Sequence, residues 1–173
     1  LHMQTLHHLA YAEFADGIRI GMRAAEVFER ESALWGLCSV QAFVIYQDGT
    51  LGSREQATRL ADKALGIAER LGHLGAAFMV LLDRIREAAM LADLPLVEAL
   101  GPQILDIGER GGLPWRYVGY IYLGLVAHWR GNAERAEAEL RNAVELEPPG
   151  AIGGQSVSLL ARHLAYQGRA EEV

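Results

Sequence analysis

The residues able to do chemistry are six histidines, one cysteine and a glycine-rich run. His2, His7, His8, His73, His128 and His163 could hold zinc or move protons. No two are spaced to share a helix face with a carboxylate in the manner of His-Glu-x-x-His, and His7 and His8 are adjacent and point apart. His128 falls near a helix end, where its ring can satisfy a carbonyl. Cys38 lies among Leu34, Leu37 and Ala42 on a helix expected to be buried, the setting of an inert core thiol. Gly150-Ala151-Ile152-Gly153-Gly154-Gln155-Ser156 precedes a helix and so could meet an anion. It lacks Gly-Lys-Ser/Thr, a preceding strand and Gly-x-Gly-x-x-Gly spacing, which makes it a connecting loop. Gln155-Ser156-Val157 also lacks the strand and closing glycine of a nucleophile elbow. Glu137 and Arg141, four apart, and Glu26, Glu29 and Glu31 near a helix end read as solvated helix pairs. No nucleophile–base or acid–base set assembles, so the expectation is no enzyme, no cofactor and no metal.

The composition is that of an ordinary globular domain. The 173 residues are 51% hydrophobic and 22% charged, enough for one domain with its own core. A net charge of −6 argues against a nucleic-acid footprint. The lone cysteine rules out a disulfide framework and points to a reducing, cytoplasmic setting. The longest apolar run, Ala76 to Leu82, stops at Asp83, far short of a membrane span. Leu1-His2-Met3 reads partly as a cloning scar, no signal peptide is evident, and Gly168–Val173 opens another helix and stops. The chain is therefore expected to be a fragment of a longer protein.

Any binding residues must be positioned by helices. Glu29-Arg30, Glu69-Arg70 and Glu109-Arg110 recur forty residues apart, each near the end of an apolar-periodic helix, and Gly72 and Gly111-Gly112 follow as stops. Turn signals lie at Gln47-Asp48-Gly49-Thr50-Leu51-Gly52, Ala92-Asp93-Leu94-Pro95, Arg130-Gly131-Asn132 and Gln167-Gly168. The pattern predicts helices at 33–47, 53–71, 74–91, 95–110, 114–130, 132–146, 152–167 and from 169 onward. Before them, the stripe Leu6, Ala10, Phe14, Gly17, Ile18, Gly21, Ala25 and Phe28 favours one helix from 5 to 30 over two broken at Asp16-Gly17.

Residues 117–150 carry the sharpest pattern. Gly124 and Ala136 are small enough for two helices to cross closely, Gly131 fits a helix end needing φ > 0, and Asn132 suits an N-cap. Ala136, Leu140, Ala143 and Val144 share one face, and Pro148-Pro149-Gly150 ends the helix. With Leu123-Gly124, Gly131-Asn132, Ala136, Ala143 and Pro148 in these places, the stretch resembles one tetratricopeptide repeat, with Tyr120, Ala127 and Leu140 as apolar departures. Earlier repeats match less fully. Ala42, Ala57 and Ala64 hold small positions, whereas Val97 and Ile104 stand where alanine is expected. The forty-residue period resembles divergent repeats of large bacterial regulators with nucleotide-binding or cyclase domains.

The resemblance implies an all-α, right-handed solenoid of antiparallel helical hairpins without strands. It forms one domain over 1–173, with approximate repeats 5–31, 33–71, 74–111, 114–150 and an incomplete 151–173. It also implies that the first helix of each hairpin lines a concave face. Carried over repeat by repeat, the groove candidates are Phe43, Tyr46, Asp83, Arg86, Ile121, Leu125, His128, Trp129, Arg162 and Tyr166, with Gln47, Glu87, Val118, Gln155 and Ser158 beside them. Aromatics mixed with arginine suit a protein or peptide partner. The aromatic cluster Trp115-Arg116-Tyr117 and Tyr120-Ile121-Tyr122 occupies every turn of its helix, so part of it must be exposed. The expected function is non-catalytic protein–protein interaction within a larger signalling or regulatory protein. Ligand sensing for an attached domain and self-association through an exposed terminal repeat are the alternatives.

Overall fold

A computed structural model describes residues 13–51, 54–149 and 154–172, without the side chains of 42, 43, 45–51, 54, 56, 57 and 170. Among the described residues there are eight α-helices and no strand. They are α1 Phe14–Arg30, α2 Leu34–Leu51, α3 Arg54–Leu71, α4 Leu74–Met90, α5 Leu94–Arg110, α6 Tyr117–Trp129, α7 Ala133–Leu146 and α8 Gln155–Tyr166, followed by a 3-10 turn, Ala170–Glu172. The chain divides into two compact units, Leu1–Glu87 and Ala88–Val173.

One turn chemistry recurs. Ser32, Gly72, Ala92, Gly112, Gly131 and Gly168 all have positive φ, from +55° to +74°. The residue after each donates its N–H five residues back. Ala33 bonds Phe28 at 2.8 Å, His73 bonds Ala68 at 2.8 Å and Asp93 bonds Ala88 at 2.9 Å. Leu113 bonds Gly108 at 2.8 Å, Asn132 bonds Ala127 at 2.9 Å and Arg169 bonds Leu164 at 2.9 Å. The left-handed residue itself bonds the carbonyl three back, completing a Schellman motif. In three turns the same donor residue also opens the next helix. Asp93 accepts from Leu96 N–H at 3.2 Å, Asn132 from Arg135 N–H at 3.2 Å, and His73 Nδ1 from Ala76 N–H at 3.3 Å. The forty-residue recurrence now has a cause, since the Glu29, Glu69 and Glu109 carbonyls are the ones that accept from Ser32, Gly72 and Gly112.

In the first unit α1 packs on α2 and α2 on α3. The α1 helix runs unbroken through Asp16-Gly17, because Gly17 and Gly21 lie on its buried face and let the neighbouring helix approach. It opens at Phe14, and the rest of the expected 5–30 helix lies outside the described residues. Cys38 is 0% exposed, its thiol donating to the Ala64 carbonyl at 3.4 Å, and burial pushes its pKa up. It is the inert core thiol expected. Ala61, Ala64 and Val80 join α3 to α4, flanked by Leu60, Leu65 and Met79. Trp35 stacks on His73 with ring centroids 5.1 Å apart, and Ser39 Oγ lies 3.3 Å from His73 Nε2. The turn expected from Gln47 to Gly52 is corrected through Leu51, which α2 reaches. A glycine inside a helix costs only about 1 kcal/mol, which an otherwise continuous helix absorbs.

In the second unit α5 packs on α6, α6 on α7, α7 on α8, and α6 also touches α8. Val97 and Ile104, the large residues at expected alanine positions, are fully buried, and the small residues of that buried face are Gly101 and Gly108. Close approach between α5 and α6 falls instead on Gly101 against Leu123 and Gly119 against Leu105. Gly124 meets Leu140 and the Ala136 backbone, the crossing expected from those residue types. Tyr117, Ile121 and Ala143 form one cluster across α6 and α7, and Leu140, Leu160 and Leu164 another across α7 and α8. Burying each large apolar side chain stabilises by about 1.5–3 kcal/mol. Two boundaries differ from expectation. Residues 114–116 form a turn closed by the Val118 N–H to Trp115 bond of 3.0 Å, so α6 starts at Tyr117. The helix expected from 169 is a single 3-10 turn, held by Arg169 pairing with Glu137 at 2.6 Å and Glu172 at 2.5 Å.

Candidate functional site

The α6 sequence carries no charge before His128, so the helix buries Tyr117, Ile121, Leu123, Val126 and Ala127 and brings its polar end out only in the last turn. That turn presents His128 and Trp129. Along α8, Leu160 and Leu164 face α7, and the same spacing places Arg162, His163 and Tyr166 in its last turns.

These two helix ends converge. His128 Nδ1 lies 2.9 Å from His163 Nδ1, the rings meeting edge-on with centroids 5.1 Å apart. His163 Nε2 lies 3.2 Å from the Ala133 carbonyl, which can only accept, so the proton of neutral His163 sits on Nε2. Its Nδ1 is then bare and accepts from His128 Nδ1–H. The Gln167 amide nitrogen lies 2.8 Å from the same Nε2 and its oxygen 3.4 Å from Arg169, so a proton on Nε2 requires the amide turned over, with its oxygen on the ring and the Arg169 contact given up. The Tyr166 ring lies 5.5 Å from that of His128. Burial, His163 and Arg162 hold the His128 pKa below its usual value.

The expected groove residues separate by role. Trp129 and Tyr166 are 47% and 74% exposed, and Arg162 is exposed too. Ile121, at 1% exposure, is core, and Leu125 packs against the same Tyr117–Ile121–Ala143 cluster, as does Val118. Their helix turns that face toward α7, which removes both Ile121 and Leu125 from an open surface. Gln155 and Ser158 are exposed at the start of α8, Ser158 bonding the Gly154 carbonyl at 3.0 Å. Phe43, Tyr46 and Gln47 have side chains outside the described residues. Of the aromatic cluster, Trp115 is exposed while Tyr117 is buried and Tyr120 packs on it.

Asp83 and Arg86 belong to the first unit. Asp83 is 5% exposed. Arg86 reaches one of its oxygens at 3.4 Å, and the other has no hydrogen-bond partner. Burial raises its pKa to about 7, against the lowering influence of Arg86. The Asp83 burial is made by tertiary packing and has no local mark in the sequence.

Sequence reasoning also gave His128 the task of meeting a carbonyl, whereas His163 performs it. His163 was the missed member of the site. Its signal was its separation of 35 residues from His128, about one repeat, which places both on corresponding helices. Among the described residues no group of three or more metal-ligating side chains converges, and no helix is long and apolar enough to cross a membrane.

No family model matches the chain, and no curated protein matches it. Solved structures do match. The crystal structure of BtubC (BKLC) from P. vanneervenii is similar with a TM-score of 0.76, at 13% identity, over 96% of this chain and 71% of that one. At that identity the likeness is one of fold alone.

Proposed function

We propose that this chain is a non-catalytic protein–protein interaction module built of tetratricopeptide-like hairpins in a right-handed solenoid, part of a larger cytoplasmic, bacterial signalling or regulatory protein. The observation that carries the reading is the exposure of Trp129 and Tyr166, large aromatics in the last turns of α6 and α8, which meet through the His128–Tyr166 ring contact, with Arg162 exposed on α8. Trp, Tyr and Arg dominate binding hot spots because they combine large contact area with directed polar groups. The contact of α6 with both α7 and α8 supports stacked hairpins, in which successive first helices lie side by side.

The test is a pull-down from source-cell lysate with the native chain and a Trp129→Ala/Arg162→Ala/Tyr166→Ala variant that melts normally. A protein or peptide partner held by the first and lost by the second is the expected result. A partner held equally by both removes this surface from the binding reading.

A further inference from the structure

An imidazole pair joined through two Nδ1 atoms needs one N–H and one bare nitrogen. In this pair the Ala133 carbonyl, 3.2 Å away, together with a turned-over Gln167 amide, puts the His163 proton on Nε2 and leaves its Nδ1 bare toward His128 at 2.9 Å. A second proton has no comfortable place. On His163 Nδ1 it would set two N–H groups head to head. On His128 Nε2 it would add a cation to a half-buried ring next to Arg162 and His163.

The surroundings offer little compensation. On α8 the neighbouring charge is Arg162, itself positive. At the end of α6, Arg130 is paired with Glu98 of α5 at 2.9 Å. On α7, Glu137 is engaged by Arg141 at 2.8 Å and Arg169 at 2.6 Å, and Glu139 by Arg135 at 3.6 Å. After α8, Arg169 is shared between Glu137 and Glu172. The ion-paired carboxylates of the elements packed around the pair are already committed.

We propose that the His128–His163 contact is a proton-operated latch that holds the C-terminal turns of α8 to α6 at neutral and alkaline pH and releases them in mildly acidic solution. The start of α8 stays in place, because Glu147 accepts from the Ser156 N–H at 3.1 Å and Leu160 packs with Leu140, while the packing of Leu164 in the same cluster and the Arg169–Glu137 pair at 2.6 Å are contacts that release must also loosen. Release therefore falls on the last turn, where Gln167 and Arg169 bond the Leu164 carbonyl at 3.0 and 2.9 Å and Gly168 bonds that of Ala165 at 3.0 Å. It also parts Tyr166 from His128. That last consequence for binding rests on the interaction reading, whereas the latch itself does not, and its tests use no partner.

The experiment is native-state hydrogen exchange on the whole chain from pH 8 to 5.5, with intrinsic rates divided out, followed at the amides of Gln167, Gly168 and Arg169. Opening exposes imidazole to water, so protection is expected to fall as pH drops through the ordinary imidazole range, by up to about tenfold per pH unit. His128→Asn is expected to abolish the fall. Its amide can donate to a neutral His163 and, turned over, accept from a protonated one. Nitrogen NMR of the wild-type imidazoles at pH 8 gives an answer that needs no variant, with His163 protonated on Nε2 and His128 on Nδ1. Protection that stays constant down to pH 5.5, an equal loss in His128→Asn, or a His163 proton found on Nδ1 overturns the proposal.

Discussion

Leu123 fills the space beside Gly101 so closely that a Cβ on the glycine would lie 2.6 Å from the leucine Cδ2 and 2.7 Å from its Cγ. The Cγ cannot swing aside as a chain terminus could, so Gly101→Ala must move α5 from α6 or force Leu123 off its rotamer. The expected loss is about 1–3 kcal/mol, read as a lower denaturant midpoint at unchanged slope. A midpoint equal to wild type would mean that α5 and α6 are not packed this closely.

Ala92 adopts the left-handed conformation, φ +56°, that Gly72 holds at +62° in an equivalent turn. An L side chain there costs about 1–2 kcal/mol, part of which is offset by the greater unfolded freedom of glycine. Ala92→Gly is expected to stabilise by about 0.5–1 kcal/mol, and Gly72→Ala, with no atom within 4 Å of the added Cβ, to destabilise through backbone strain alone. Paired melting curves check both signs.

Asp83 keeps its proton to about pH 7 in the fold, against an ordinary value of 3.8. The folded state thus binds the proton more tightly than the unfolded chain. This contribution to stability is full below about pH 4, declines as pH rises, by up to about 1.4 kcal/mol per unit, and is lost above pH 7. Asp83→Asn should remove that decline and be the more stable protein at pH 8. Urea unfolding at pH 5 and pH 8 decides, and parallel pH dependence in the two proteins would contradict the buried, neutral acid.

Asn132 closes one helix with its backbone and opens the next with its side chain, accepting from Arg135 N–H at 3.2 Å. Asn132→Ala retains the first role and loses the second, at an expected cost of about 1 kcal/mol, whereas Asn132→Asp should keep both. Equal losses in the two variants would show that the side chain is not capping.

The helices and their turns were legible because they rest on local signals. Gly131 after Trp129-Arg130 announces a left-handed stop, Asn132 an N-cap, and Ala136, Leu140 and Ala143 a buried stripe, and each is found as read. Ile121 was misassigned to an open face because apolar residues surround α6 on every side, and periodicity then no longer says which side meets a neighbour. Asp83 and His163 were invisible as chemistry for a related reason. Burial of the one and partnership of the other are made by residues distant in the chain, and neither leaves a mark on its immediate neighbours.

The turns are fastened by backbone N–H groups, and only the conformation of one residue in each is specified. Serine, alanine and glycine all occupy that place, at Ser32, Ala92 and Gly131. At that one position a connector of this kind tolerates exchange of the side chain. A fold can then be shared at low sequence identity, as it is with BtubC at 13%. Relatives of such a chain are better sought by the rhythm of positive-φ residues, each followed by its five-residue backward hydrogen bond, than by matching residues.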